Sequence, residues 1–324
     1  MTDRETKVSV LIPTYNGGPL LRRVVQAIFA QDVDFEFEVL CIDSESTDET
    51  LAILSEYDIR VTSIPNHEFN HGLTRNRGAS MARGEIVIFL VQDAVPHGSK
   101  WMQTLVSNFD DPTVAGAYCH QIPHANCNPF LRDRLKGWVH GEGAPTVKHI
   151  ADPMDYELLT PLERWQAIAF DDVASAVRRS VLTEVPFEER AFGEDITWAK
   201  GALLAGHRVV MDPRCAVEHS HNKSTWYEFR RACLDLQNVH KLTELRLAPN
   251  IHHVMRYTGK LSQHLFDVVC ADVSLSLLQK VLWVARIPYF ALSQNLAQFL
   301  GPLSSHRKHR GAWRWFDRLI SGGI

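Results

Sequence analysis

The stretch Val8-Ser9-Val10-Leu11-Ile12-Pro13, followed by Thr14-Tyr15-Asn16-Gly17-Gly18, decides the fold. Its first six residues are apolar apart from Ser9, as expected of a strand buried on both faces of a parallel sheet. The polar turn then opens a helix. Pro19 suits a first helical position, and Leu20, Leu21, Val24, Val25, Ile28 and Phe29 share one helical face. The unit repeats: residues 37–42 (FEVLCI), 59–64 (IRVTSI) and 86–90 (IVIFL) read as three more strands. Between them, Ser46-x-x-Glu49 reads as a capping box opening a helix, and residues 74–82 as a helix closed by Gly84. Successive β-α-β units predict an α/β fold with a doubly wound, mainly parallel sheet and helices on both faces.

Beyond Lys100 the period weakens. Residues 125–160 mix Pro, Gly, His and Asn and predict long loops with short helices. A strand over 174–178 and a helix from about Asp195 to Ala205, stopped by Gly206, restore the pattern. From Ser224 onward Trp226, Phe229, Cys233 and Leu236 fall at helical spacing. The predicted organisation is therefore a domain over 1–222, with halves 1–115 and 116–222, and a helical C-terminal extension over 223–324.

Composition excludes disordered and fibrous classes: 45% of the 324 residues are apolar and 22% charged. The net charge of -4 hides a division. Residues 223–324 carry 14 Lys/Arg against 6 Asp/Glu, and the remainder 20 against 32. An acidic body with a basic end predicts different partners for the two parts. The six cysteines form no CxxC pair, so reduced thiols are expected. Cys119-His120 with His124-x-x-Cys127 matches no common zinc spacing. The opening Met1-Thr2-Asp3-Arg4-Glu5 is too charged for a signal peptide, and no apolar run reaches membrane-spanning length. A cytoplasmic protein is expected, resting at most on the inner membrane surface. There, Trp283, Trp313, Trp315, Phe316 and the run His306–Arg310 would meet an anionic leaflet. Oligomer packing would explain the same apolar residues, so a homo-oligomer stays open. No nucleic-acid partner is expected.

In doubly wound sheets ligands gather at the carboxyl ends of the strands. There this chain places Pro13-Thr14-Tyr15-Asn16, Asp43-Ser44-Glu45-Ser46-Thr47-Asp48, Asn70-His71-Gly72-Leu73-Thr74-Arg75-Asn76 and Gln92-Asp93-Ala94. Together they offer a carboxylate for a base or ribose, a cation for a diphosphate and an acid for a metal. Later come Gly193-Glu194-Asp195, with its acids at the positive end of a helix, and Val217-Glu218-His219-Ser220-His221. Its two histidines share a face if the segment is extended.

These motifs, in this order, resemble the nucleotide-binding half of a family-2 glycosyltransferase of the GT-A type, over roughly residues 7–222. The resemblance implies a sugar transferase using a nucleotide-diphosphate donor, with Pro13, Thr14, Tyr15 and Asn16 lining the nucleotide. It implies that Asp43 reads the pyrimidine, that Arg75 lies near the diphosphate, and that Ser46, His71 and Gln92 also bind the donor. Asp195 would be the general base, with Glu194 holding the acceptor. A divalent cation, magnesium or manganese, would be held by Asp93 with His219, His221 being the substitute. The usual Asp-x-Asp is here Val91-Gln92-Asp93, so its first acid is missing. The Gln92-Asp93-Ala94 triplet, Asn70–Ala79, Cys119–His124 and His219–Ser224 look closest to rhamnosyltransferases. That likeness implies dTDP-L-rhamnose as donor, Gln121 and His124 near the sugar, and a saccharide or lipid-linked acceptor. A UDP-hexose transferase and a non-catalytic nucleotide-sugar-binding domain are the alternatives.

Overall fold

The computed structural model describes residues 7–138, 143–190, 192–307 and 311–322. The first half runs β1 (Val8–Thr14), α1 (Gly18–Phe29), β2 (Phe37–Asp43), α2 (Thr50–Leu54), β3 (Ile59–Ser63), α3 (His71–Met81) and β4 (Ile86–Leu90). Then come β5 (Val95–Pro96), α4 (Trp101–Ser107), β6 (Val114–Ile122), α5 (Pro129–Trp138), β7 (Thr146–His149), α6 (Pro153–Leu158) and α7 (Pro161–Ile168). The sheet is completed by β8 (Ala174–Arg178) and β9 (Arg208–Glu218), with α8 (Arg179–Glu184) and α9 (Glu194–Leu204) between them. Four helices follow: α10 (Thr225–Thr243), α11 (Ile251–Ala271), α12 (Leu277–Arg307) and α13 (Gly311–Ser321).

The strand order is β3-β2-β1-β4-β8-β6-β9-β5, with β7 also on β9. The first four strands pair in parallel, as does β6 with β9. β8 runs antiparallel to both β4 and β6. β2 and β4 flank β1 on opposite sides, so the chain order reverses at β1 and a crevice opens past the carboxyl ends of β1 and β4. Four of the six residues predicted for the apolar face of α1, Leu21, Val24, Val25 and Ile28, are fully buried in one core with Val8, Val10 and Ile12 of β1, while Leu20 is half-buried and Phe29 exposed. Burying one such side chain contributes about 1.5–3 kcal/mol, so the first unit largely carries its own core.

Three local expectations change. No capping box forms at Ser46. α2 starts only at Thr50, and the Ser46 hydroxyl turns to Asp43 instead. α3 begins three residues early, because the Asn70 side chain caps it by accepting from the Leu73 N–H at 3.1 Å. The stretch 125–160 contains a strand, β7, besides its helices.

The chain separates into two compact units. One falls within Met1–His124, Lys136–Leu158 and Ala167–Ser220 and holds the whole sheet; the other falls within Ala125–Leu135, Leu159–Gln166 and His221–Ile324. In the second, Phe130, Leu265, Val269 and Ile287 form one cluster, and Phe229, Cys233, Ala297 and Ile320 another. Trp283 and Phe316, expected on a membrane surface, turn inward instead. Trp283 packs edge-on against Phe130 at 5.2 Å, and Phe316 joins the second cluster. Trp315 is 66% exposed. Lys308, His309 and Arg310 of the basic run, and the side chains of His306, Arg307 and Trp313, lie outside the described residues. Among the described residues no helix is long and apolar enough to cross a membrane.

α3 is clamped against the segment that leads into α9. Asn76 exchanges two hydrogen bonds with the Phe187 backbone, at 2.8 and 3.0 Å, and the Asn70 amide donates to the Arg190 carbonyl at 3.0 Å. Gly72 makes the closest approach: a Cβ there would stand 2.4 Å from the Glu188 carbonyl oxygen. Gly72→Ala is therefore expected to destabilise the fold by about 1–3 kcal/mol. A lowered urea midpoint with an unchanged slope is the measurement that checks it.

Candidate active site

The loops after β1 and β2 are stitched into one ridge. The Thr14 hydroxyl donates to Asp43 Oδ1 at 3.1 Å, and Ser46 donates to the same carboxylate through its N–H at 3.0 Å and its hydroxyl. Asn16 adopts a left-handed conformation (φ 47°), which asparagine tolerates. Its N–H donates to Ser46 Oγ at 2.9 Å, and its side-chain oxygen accepts from the Thr47 N–H at 2.8 Å. Asp43 is thus buried and held by three donors, while Tyr15 beside it is 49% exposed. The ridge carries an exposed aromatic ring, with the buried Asp43 carboxylate anchoring its backbone. Pro13 sits half-buried at its base.

Gln92, the middle residue of Val91-Gln92-Asp93, is tied to the loop after β1, and the missing first acid of the usual metal motif falls at Val91. Its side chain accepts from the Tyr15 N–H at 2.9 Å and donates to the Tyr15 carbonyl at 3.0 Å. A carboxylate could make the first bond but would repel the second carbonyl; a neutral amide makes both. Gln92 is a clasp between the ends of β1 and β4.

Asp93 next to it faces His219, Oδ1 to Nε2, at 3.6 Å. His219 is 7% exposed, and its N–H extends the β6–β9 pairing by donating to the Ile122 carbonyl at 2.9 Å. Its Nδ1 lies 2.8 Å from Gln121 Oε1, and the Gln121 amide nitrogen donates to Asp171. Since Asp171 can only accept, Gln121 must turn its oxygen to the histidine, and Nδ1 must carry the hydrogen. Nε2 is thereby turned toward the Asp93 carboxylate, where a neutral ring would offer its lone pair. Two acceptors so placed suit a shared cation, with Gln121 fixing the tautomer from behind as metal sites commonly require. Asp93 and His219 belong to the unit that holds the sheet, and His221 is the residue at which the second unit begins. Among the described residues no cluster of metal-ligating side chains includes Cys119 or His120. Cys119 is a core residue accepting from the Trp101 indole at 3.5 Å.

The third element is a knot of acids around one arginine. Arg75, expected at the open sheet edge, is 4% exposed and turned inward. Its guanidinium pairs with Glu194, lies 3.5 Å from Asp172 Oδ2, and reaches the His71 carbonyl at 3.4 Å. Desolvation draws the guanidinium down, yet Asp172 and Glu194 outweigh it and hold its pKa above the ordinary value. Asp195 follows Glu194 at the first turn of α9, reached through Gly193 in a left-handed turn (φ 74°). Its carboxyl is pushed well above the usual carboxylate range, first by desolvation and then by Glu194, Asp172 and Asp171; the Ile196 N–H, donating at 2.8 Å, opposes this. Asp172 is pushed up to about 6, by burial above all, against the pull of Arg75. Part of the Asp195 surface remains accessible, so the base candidate combines a raised proton affinity with an open side.

Asp171 and Asp172 are the residues that sequence reading missed. They stand immediately before the apolar strand β8, so two adjacent acids at a strand entrance were the available signal. The structure brings Asp195, Glu194, Arg75 and Asp172 together, and links Asp171 through Gln121 to His219 and Asp93. His71 is exposed, edge-on to Phe69 at 4.9 Å. His124 stands apart from the knot, with Nδ1 3.8 Å from the Glu218 carboxylate and its N–H on Ser220 Oγ at 3.1 Å.

A family model described as glycosyl transferase family 2 matches residues 9–185. The chain is 30% identical over 299 residues to the O-antigen chain rhamnosyltransferase RfbN of Salmonella typhimurium, covering 91% of this chain and 88% of that protein. It is 28% identical to WbaN of Salmonella anatum, also named an O-antigen chain rhamnosyltransferase, over 90% and 87% of the two chains. In fold it resembles the mannosyltransferase PcManGT of Pyrobaculum calidifontis, solved with GDP-Man and Mn2+. The TM-score is 0.59 at 18% identity, over 95% of this chain and 89% of that one.

Proposed function

The chain belongs to glycosyl transferase family 2 and is a glycosyltransferase, and from that premise we propose that it transfers L-rhamnose from dTDP-L-rhamnose to a saccharide hydroxyl, inverting the anomeric centre. The observation that carries the mechanism is the placement of Asp195: at the start of α9, partly open, and ringed by Glu194, Asp172 and Asp171. A carboxylate so surrounded binds a proton more tightly than a free one, which is what a general base acting on a sugar hydroxyl requires.

In this reading Asp195 takes the proton of the acceptor hydroxyl as its oxygen attacks the anomeric carbon from the side opposite the diphosphate. The transition state has oxocarbenium character, as in glycoside hydrolysis. Glu194, pinned by Arg75, fixes the base at the head of its helix. Arg75 is thus read as a positioning residue, because its charge is already matched by Asp172 and Glu194. Tyr15 offers its exposed ring to the nucleotide base, and Asp43 holds the ridge that presents it. Asp93 and His219, with His221, would hold a magnesium or manganese ion, which when bound offsets the negative charge developing on the diphosphate. Gln121 keeps the His219 ring turned for that purpose. The acceptor we assign is a glycan or lipid-linked saccharide, in keeping with the O-antigen chain named for the two relatives.

Calorimetric titration of dTDP-L-rhamnose and UDP-glucose, with manganese and then with chelator, tests donor and metal together. The expected result is binding of dTDP-L-rhamnose at least tenfold tighter than UDP-glucose, a preference of about 1.4 kcal/mol, lost in part on chelation. Preference for UDP-glucose would discard rhamnose. Binding indifferent to chelator would remove the metal role from Asp93 and His219. Proton NMR of the product's anomeric signal separates inversion from retention.

A further inference from the structure

The first half of α12 carries an apolar face that none of the described residues covers. At about 100° per residue, Leu277, Leu278, Val281, Leu282, Tyr289 and Leu292 fall within one arc of about 140°, with Ala285 and Pro288 filling the gaps. All are exposed; Leu277 is 80% and Leu278 70% accessible, and Val281, Leu282 and Tyr289 are each above half. Scattered exposed leucines are ordinary, but an unbroken stripe about 22 Å long, at 1.5 Å per residue, marks a contact surface. The buried side of the same helix packs Trp283, Ile287 and Phe290 around Phe130, so the exposed arc is a second face rather than a misplaced core.

Beside this stripe the second unit has a cleft of about 360 Å³, walled by Phe130, Trp283, Tyr289 and Phe290. Three cations reach it. Arg134 is neutralised by Glu228 at 2.8 Å. Lys223 and Arg286 meet only rings, lying over Tyr227 at 5.5 Å and over Trp283 at 4.6 Å; among the described residues neither has a carboxylate partner. The cleft therefore offers two uncompensated positive charges at the border of an apolar stripe. An ammonium and a guanidinium so placed bind phosphate.

We propose that this side of the second unit is a membrane-docking surface, in which the α12 arc enters the bilayer interface and the Lys223–Arg286 cleft takes a phosphate-bearing lipid head group. Charge selects a lipid surface over a second copy of the chain. Between Leu277 and Leu292 the helix carries Lys280 and Arg286 and no Asp or Glu, so two such faces repel each other, whereas an anionic leaflet attracts each. The proposal stands apart from the transferase reading and needs neither donor nor acceptor.

Flotation of the full chain with phosphatidylcholine vesicles, with and without phosphatidylglycerol, tests it. The chain is expected to float with the anionic vesicles and to remain behind with the neutral ones. Leu278→Glu with Leu282→Glu, both at exposed positions, should lower flotation more than tenfold without altering the thermal melt. Lys223→Ala with Arg286→Ala should lower it about tenfold, and inorganic phosphate should compete only weakly. Absence from the anionic vesicles, equal flotation on both kinds, or unchanged flotation of the glutamate variant would overturn the proposal. So would complete displacement by inorganic phosphate, which would assign the cleft to a free anion. A concentration-dependent dimer abolished by the glutamate variant would assign the arc to a second copy and overturn it equally.

Discussion

Asp195→Asn is expected to lower kcat by about 10³-fold, within the range found when a general base is removed, while leaving donor affinity unchanged. Asparagine keeps the shape of the side chain and can still accept from the Ile196 N–H, as Asp195 does at 2.8 Å. What it loses is the ability to take a proton. Steady-state kinetics with calorimetric donor titration separates the two effects. A fall of less than tenfold, with binding intact, would show that the base lies elsewhere. Intact binding with no turnover would exclude a merely nucleotide-sugar-binding role, because the native chain would then differ from the variant only in chemistry.

The raised pKa of Asp195 adds a pH signature. The base works when ionised, so kcat/KM should fall as pH drops through its folded pKa. That limb should stand above the ordinary carboxylate value near 4, because desolvation, Glu194, Asp172 and Asp171 all raise it. Asp172→Asn removes one of these charges and leaves Arg75 to act more fully on the acids that remain, so the limb should shift to lower pH. The effect on stability has the opposite sense to that of an ordinary salt-bridged carboxylate. Asp172, pushed up to about 6, contributes stability that is present below its unfolded pKa near 4 and lost as pH rises through about 6.

The contrast between what was and was not legible follows from how each residue acts. β1, β2 and β4 were readable because burial leaves apolar runs, as in residues 86–90, whereas β3 is a mostly exposed edge strand legible only from its place in the repeat. Asp93, His219, Glu194 and Asp195 were readable because each stands directly after a strand or at a helix start, where backbone geometry alone aims it at the sheet edge. Arg75 was not. Its position on α3 is local, but its direction depends on Glu194 and Asp172, more than 95 residues away along the chain. Gln92 read as a donor-binding residue, and its clasp on Tyr15 appears only when β1 and β4 lie side by side. The antiparallel entry of β8 escaped for the same reason: its residues spell a strand, while its direction is set by the long chain between β4 and β8.

Arg75→Met is expected to cost about 3–5 kcal/mol of stability, the range for removing one member of a buried ion pair. Methionine approximates the volume but carries no charge, so Glu194 and Asp172 would be left facing each other beside Asp195, all three against desolvation. Two responses are open to such a cluster: the acids take up protons, or the start of α9 moves toward water. Either one disables the base, so activity should fall with stability, by at least tenfold at neutral pH, and the residual activity should shift its acid limb upward. Arg75→Lys keeps the charge but cannot hold Glu194 and Asp172 with one planar fork, and should fall between the two. The pair of variants separates positioning from charge, read by urea unfolding and kcat measured on the folded fraction. If Arg75→Met folded with native stability, the two acids would have to be held by something other than the guanidinium, and Arg75 would return to the role its motif first suggested, as a cation available to the diphosphate. If it were destabilised as expected but retained full kcat in the folded fraction, Arg75 would serve the fold alone, and the alignment of Asp195 would rest on the Gly193 turn and the Ile196 N–H.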